Sequence, residues 1–207
     1  DDPRLGDARL CGTTASLCGV QAAREAGDAD AMARALRLDV MLHAFMFTLS
    51  GIPVLYSGDE AARENDGGYH ADPLRRDDSR WLHRGAMRWD EADARRDPAT
   101  PQGAVFLSVE RLEALRHRHR VFDGAADTWI VDTGSDRVLG VGRYHRGEKL
   151  LGLFNFGRES ETVWTDQSEL FTDLLTGKLC SAQGVRLAPG SFLWLAYDFD
   201  AGGFVCR

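Results

Sequence analysis

Lysine is almost missing from this sequence. Lys149 and Lys178 are the only two among 25 basic residues, so nearly all positive charge is guanidinium. The compositional bias of a GC-rich genome accounts for this ahead of a need for planar hydrogen-bonding forks. Cysteine is also sparse. Cys11, Cys18, Cys180 and Cys206 contain no Cys-x-x-Cys pair, which argues against a zinc site or a dithiol redox motif. Cys11 and Cys18 are spaced to share a helix face as small buried residues. Whether Cys180 and Cys206 pair stays open, because spacing alone does not decide a disulfide. No apolar run is long enough for a bilayer: Leu38 to Leu49 falls well short of the ~20 residues a spanning helix needs. Net positive charge is missing as well. A balance of -7 argues against nucleic acid or an anionic membrane surface as the main partner. There is no secretory leader and no initiating Met, and residues 1–8 read as a mid-chain loop. The parent protein's compartment, cytoplasmic or secreted, therefore stays open for what reads as a soluble chain.

What is present is ordinary globular composition, 43% hydrophobic and 28% charged, with length enough for one or two cored domains. Gly12 to Val20 predicts a short helix with Thr13 or Thr14 at its start and Gly19 inside it. Arg24 to Gly27 reads as a polar connection. Asp28 or Asp30 is placed to cap a helix running to about Leu49, where Ser50-Gly51 stops it. His43 within it fits a satisfied core histidine better than a ligand. Ile52 to Tyr56 is a brief apolar run between Gly and Pro punctuation and reads as a buried strand. Asp59 and Glu60 follow where that strand ends. A long loop comes next, its Tyr69, Trp81 and Trp89 arguing against disorder. Trp81 and Trp89 suit packing of this loop more than sugar stacking. Thr100-Pro101 opens another helix with Val105, Val109 and Leu112 as its apolar stripe. Its basic end, Arg116 to Arg120, suits a helix C-terminus and reads as solvated.

Beyond about Asp123 the period changes to two. Strands are expected over 128–132, 137–145, 148–155, 161–165, 171–175 and 191–198, with Arg146-Gly147 as a hairpin turn and Pro189-Gly190 as the last turn. The fold class expected is α/β plus all-β. Residues 1–122 form the last helix–strand–loop–helix portion of a (β/α)8 barrel, and residues 123–207 an antiparallel β-sandwich. A whole barrel needs about 250 residues, and residues 1–122 supply about half of that. One parallel strand has no mates here, so the remainder of the catalytic barrel is an expected partner.

The motif Gly51-x-Pro53-x-x-Tyr56-x-Gly58-Asp59-Glu60 resembles the eighth-strand motif of the α-amylase family, glycoside hydrolase family 13. Gly6 to Thr13, Asn65-Asp66, Asp77 to Arg84, Asp97 to Thr100 and Leu187 to Gly190 with Trp194-Leu195 resemble the amylosucrases and the related sucrose hydrolases. The resemblance covers essentially the whole chain. It implies a retaining enzyme that cleaves sucrose, passes glucosyl to an α-1,4-glucan or to water, and releases fructose. It implies sucrose and α-glucan as partners and no cofactor or metal. Retention needs two carboxyls ~5 Å apart about the scissile bond. The family carries them, and a transition-state-stabilising His-Asp pair, upstream of Asp1. Asp1-Asp2 does not match that pair, so no catalytic residue is assigned here and the isolated segment is expected to be inactive. Arg80 is implied to ion-pair with an upstream Asp at the floor of the glucosyl pocket. Arg9 is implied to line the acceptor side. Asp59 and Glu60 are read as structural acids at the barrel strand end, because neighbours on a strand point to opposite faces. A sucrose hydrolase, another family member such as a trehalose synthase or α-glucosidase, and a stand-alone carbohydrate-binding or scaffold module remain alternatives.

Overall fold

The structure, a computed structural model, describes residues 11–203. Five helices come first: α1 (Thr14–Cys18), α2 (Val20–Ala26), α3 (Ala29–Thr48), α4 (Trp89–Asp93) and α5 (Pro101–Arg118). Eight strands follow: β1 (Asp127–Val131), β2 (Val138–His145), β3 (Glu148–Asn155), β4 (Glu161–Trp164), β5 (Leu170–Asp173), β6 (Leu179–Ser181), β7 (Gln183–Leu187) and β8 (Phe192–Asp198). The chain forms two compact units. One takes the described residues through Asp39 together with Leu55–Ser108; the other takes Val40–Val54 and Val109 onward.

In the first unit the helix signals are local. Thr13 caps α1 by accepting from the Ser16 N–H at 3.3 Å. Gly19, expected inside one helix, instead sits at φ +99 between α1 and α2. The stretch from Arg24 that read as a connection is the last turn of α2, closed by Gly27. Cys11 precedes α1, so it shares no helix face with Cys18. Asp28 accepts from the Ala31 N–H at 2.8 Å and starts α3, whose Ala, Leu, Arg and Met residues favour the helix. At α5, Thr100 accepts from Gly103 N–H at 3.0 Å and Pro101 takes the first position. Gly103 is needed there because a Cβ would lie 1.8 Å from the Asp97 carbonyl oxygen.

The expected strand over 52–56 carries no strand ladder among the described residues. An extended segment becomes a strand only when a neighbour takes up its N–H and C=O groups.

The second unit is a two-layer antiparallel β-domain. A six-stranded sheet runs in the order β1-β2-β3-β8-β5-β6, and β4 pairs with β7 in a second sheet. β2 and β3 are joined by Arg146 (φ 47) and Gly147 (φ 82), two positive-φ residues that match a tight hairpin turn. Strands β6 and β7 were not expected; their exposed, weakly alternating residues give little periodic signal. On one face of the large sheet, Leu151, Leu153, Phe171 and Leu195 pack against Val163 of β4 and Leu187 of β7. Each such burial contributes about 1.5–3 kcal/mol. The other face carries Arg143, Leu150, Phe154 and Trp194, all fully buried. Phe45 meets Phe154 edge-on at 5.4 Å, and Phe122 packs on Trp194 at 4.8 Å.

The basic run at the end of α5 and just beyond it is not simply solvated. Arg116 donates to the carbonyls of Phe47 and Gly51, His119 is buried against Glu148, and Arg120 pairs with Asp198 and Asp200. Arg143 is the unexpected core residue. Its guanidinium donates to the carbonyls of Val121 (2.9 Å), Thr48 (2.8 Å) and Asp123 (2.8 Å). Burial lowers its pKa from the ordinary arginine value, and the nearby Arg116 charge acts in the same direction. Three carbonyl dipoles, one at the negative C-terminal end of α3, offset that cost.

Candidate functional site

Several segments that carry the family resemblance converge in the first unit. The Thr13 N–H donates to Asn65 Oδ1 at 2.8 Å, and the Asn65 N–H donates to Ser16 Oγ at 2.9 Å. Thr14 donates from its hydroxyl to Asp59 Oδ2 at 3.1 Å and from its N–H to Oδ1 at 3.4 Å. Cys11 Sγ lies 3.4 Å from Ser79 Oγ, and the Asp66 N–H donates to the Leu82 carbonyl at 2.7 Å. Residues from four distant stretches of sequence are thus tied by short polar links. Among them run Asx-type turns: Asp66, Asp72 and Asp78 each accept from the N–H two residues on. This is why Asp is so frequent in the loop.

Each acid has an identifiable use. Asp59 lies in a 3-10 turn, not on a strand, and fastens the start of α1. Glu60 accepts from the Gly58 N–H at 2.8 Å, a bond that closes its own turn. A carboxylate so engaged orders the loop. Arg80 is half-exposed and forms a fork with Asp78, its Nε and Nη2 at 2.7–3.0 Å from the two carboxylate oxygens. That hydrogen bonding holds Asp78 down at about 2, against an ordinary 3.8. At neutral pH the pair is therefore a fixed charge site, and Asp78 has no proton to give. Arg9 lies outside the described residues, as does Cys206.

Around Arg80, Arg75 stacks over the Trp81 ring at 4.4 Å, and Tyr56 meets His83 edge-on at 5.4 Å. Trp89, expected to pack, is 70% exposed. Burial and the carboxylates of Asp39 and Asp59 push the Cys18 thiol up to about 12, so it is not a nucleophile at neutral pH. Among the described residues no three His, Cys, Asp or Glu side chains converge as metal ligands. No helix among them is long and apolar enough to cross a membrane.

Two polar groups were missed in sequence. Arg143 had a signal: it shares strand parity with buried Val141 in β2. His119 had none, because its partner Glu148 is 29 residues away.

No family model matches the chain. Over 144 residues it is 30% identical to the α-amylase MalA of Haloarcula japonica, a match covering 67% of this chain and 18% of that protein. Its fold resembles that of AmyP solved in complex with maltose (TM-score 0.63, 20% identity), covering 78% of this chain and 35% of that one. It also resembles the maltogenic α-amylase AmyB of Thermotoga neapolitana (TM-score 0.56, 15% identity), covering 78% and 36%. The chain thus spans under a fifth of the sequence relative and about a third of these solved chains. Together these likenesses support a carboxyl-terminal region of the α-amylase family, glycoside hydrolase family 13.

Proposed function

We propose that this chain is the carboxyl-terminal part of an α-amylase-family enzyme acting on α-glucan, and that the intact enzyme is amylosucrase-like. In this reading sucrose is the donor, an α-1,4-glucan end the acceptor, and fructose the leaving product. The observation that carries the partial-barrel reading is the exposure pattern of residues 52–56; the sucrose reading rests on the motif resemblance alone. Ile52 (91%), Val54 (77%) and Tyr56 are exposed while Pro53 and Leu55 are half-buried. Period-two exposure of an apolar, unladdered segment is what a strand shows when its sheet lies elsewhere. The nucleophilic and acid/base carboxyls of a retaining mechanism then come from other barrel strands. Residues 1–122 supply the end of the barrel, and residues 123–207 its β-sandwich companion.

Arg80 is the substrate contact in this proposal. Its guanidinium keeps donors beyond those on Asp78 and can bridge a pocket carboxylate and a glucosyl hydroxyl. Arg9 serves the acceptor side. The test is fructose release from sucrose. An enzyme comprising this chain and the preceding barrel should release fructose with chain-length growth of added glucan, and this chain alone should release none. Free glucose in place of glucan growth would assign a sucrose hydrolase. No fructose from the complete enzyme, with maltooligosaccharide cleavage intact, would leave the family reading standing and remove the sucrose one. Strong calorimetric binding of maltooligosaccharides to the 207-residue chain alone would favour the binding-module alternative.

A further inference from the structure

Trp164 is the one large apolar side chain on the outer face of the β4–β7 pair, and it is 64% exposed. Alternation sets the side. Val163, between Thr162 and Trp164, is fully buried in the core, so both of its neighbours point outward. The strand opposite is shaped to receive the ring. Val163 pairs with Val185 and Trp164 with Gln183, which leaves Gly184 as an extra residue at φ +75. Such a glycine bulge bends its strand and re-aims the side chains beside it. A Cβ at Gly184 would lie 3.0, 3.3 and 3.5 Å from Cη2, Cζ2 and Cζ3 of the Trp164 indole. Distances so nearly equal put that point over the ring face and not off its edge. The indole therefore lies flat on the glycine, with one face against backbone and the other turned to water.

Cover for a strand glycine uses only the inner face of the ring. The outer face is a flat apolar surface in a polar frame. Gln183 is the exposed cross-strand partner of Trp164, and exposed Thr162 pairs with exposed Arg186. That second pair lies two residues, about 6.5 Å, along the strands. The side chains of Thr162, Gln183 and Arg186 have no hydrogen-bond partner among the described residues. Together they offer hydroxyl, amide and guanidinium groups, donors and acceptors both. The frame discriminates between ligand classes. A protein partner wants a contiguous apolar patch, and these two strands expose a lone indole. A nucleic acid wants a basic stripe, and Arg186 is their one cation. What suits a flat ring bordered by neutral polar groups is an uncharged ligand with an apolar face and a rim of hydroxyls. That is a pyranose.

We propose that this face of the β-domain is a surface foothold for α-glucan, separate from the barrel. Trp164 stacks on the apolar face of one glucosyl unit. Gln183 takes hydroxyls of that unit, and Thr162 with Arg186 takes those of the next along the chain. The inference rests on the reading of the enzyme as acting on α-glucan and is independent of the sucrose reading. A one-sided platform buries less of its ligand than an enclosing pocket, so it binds weakly and holds a polymer better than a single sugar.

Electrophoresis of the 207-residue protein through native gels with and without amylose tests this. The unmodified protein should be retarded by amylose. Trp164→Ala, at an exposed position, should keep the circular dichroism spectrum and weaken the apparent amylose affinity at least tenfold. Trp164→Tyr, which keeps a flat ring, should fall between. In 15N spectra of the unmodified protein, the Trp164 indole N–H should move on titration with maltoheptaose while that of buried Trp194 stays in place. No retardation of the unmodified protein, equal retardation of Trp164→Ala, or a stationary Trp164 resonance overturns the foothold. Stronger retention by double-stranded DNA than by amylose overturns the uncharged ligand. Turnover of maltooligosaccharides by the complete enzyme with no retardation of this chain removes the foothold and leaves the α-glucan reading standing. Retardation through Trp164 with no such turnover does the reverse.

Discussion

Replacing Arg143 with Met should destabilise the β-domain by about 2–4 kcal/mol. The side chain is fully buried and its three nitrogens donate to three separate carbonyls at 2.8–2.9 Å. Met fills much of the volume but donates nothing, so the buried carbonyls of Thr48 and Val121 lose their partner, while that of exposed Asp123 keeps the Ala126 N–H at 3.0 Å. Each buried acceptor left unsatisfied costs about 1–3 kcal/mol, or roughly 2–6 in sum for the two. Relief from desolvating a guanidinium returns several kcal/mol, which sets the net near the lower half of that range. For a chain of this size the melting midpoint should fall by about 4–16 °C. Arg143→Lys should lie between, because an ammonium keeps the charge but has no planar fork to span three acceptors. Thermal unfolding followed by circular dichroism and by emission of the buried Trp194 reads the effect. A loss below about 1 kcal/mol for Arg143→Met, or identical values for the Met and Lys variants, would refute the claim that geometry and not charge alone holds these elements together.

Three further outcomes follow from named contacts. Thr48→Val keeps shape but removes the hydroxyl that donates to Ala44 (2.8 Å) and accepts from the Trp194 indole (2.8 Å); it should cost about 1–3 kcal/mol by urea titration, and a neutral result would show that the indole N–H finds another acceptor. Cys18, raised from 9.0 to about 12, holds roughly a thousandfold less thiolate than an ordinary cysteine at the same pH, so iodoacetamide at pH 8 should leave it unmodified in the folded protein; labelling at the rate of the unfolded chain would contradict its burial. Asp78 should titrate near 2 by carboxyl 13C resonance and move up toward 3.8 in Arg80→Ala. Because its folded value is depressed, the contribution of this pair is present above about pH 3.8 and lost as pH falls through about 2, and a midpoint near 3.8 in the unmodified protein would show the fork is not formed.

Much of the secondary structure was legible because its causes are local. Thr13, Asp28 and Thr100 cap the helices they precede, and the change from helical to alternating periodicity near Asp123 marks the onset of the β-domain. Misreadings have equally specific causes. Gly19 looked tolerable inside a helix, yet a positive φ ends one. Residues 52–56 have strand composition, but pairing is a property of two segments. Strand β6 has only three residues and β7 begins with Gln183-Gly184, so neither offers enough alternating apolar positions to announce itself.

The candidate site divides along the same line. Its segments were found from motifs, and the Asp-rich turns follow from side chains bonding backbone two residues on. That Asn65 meets Thr13, that Asp59 fastens Thr14, and that Arg80 turns to Asp78 depended on folding. The residue string determined helix caps, turn positions, the β-domain's alternation and a family resemblance, since these are written in neighbours one to four positions apart. Only the tertiary structure decided that Arg143 and His119 are interior, because whether a charged side chain is buried depends on acceptors supplied by Thr48, Val121 and Glu148, which the chain brings from far away.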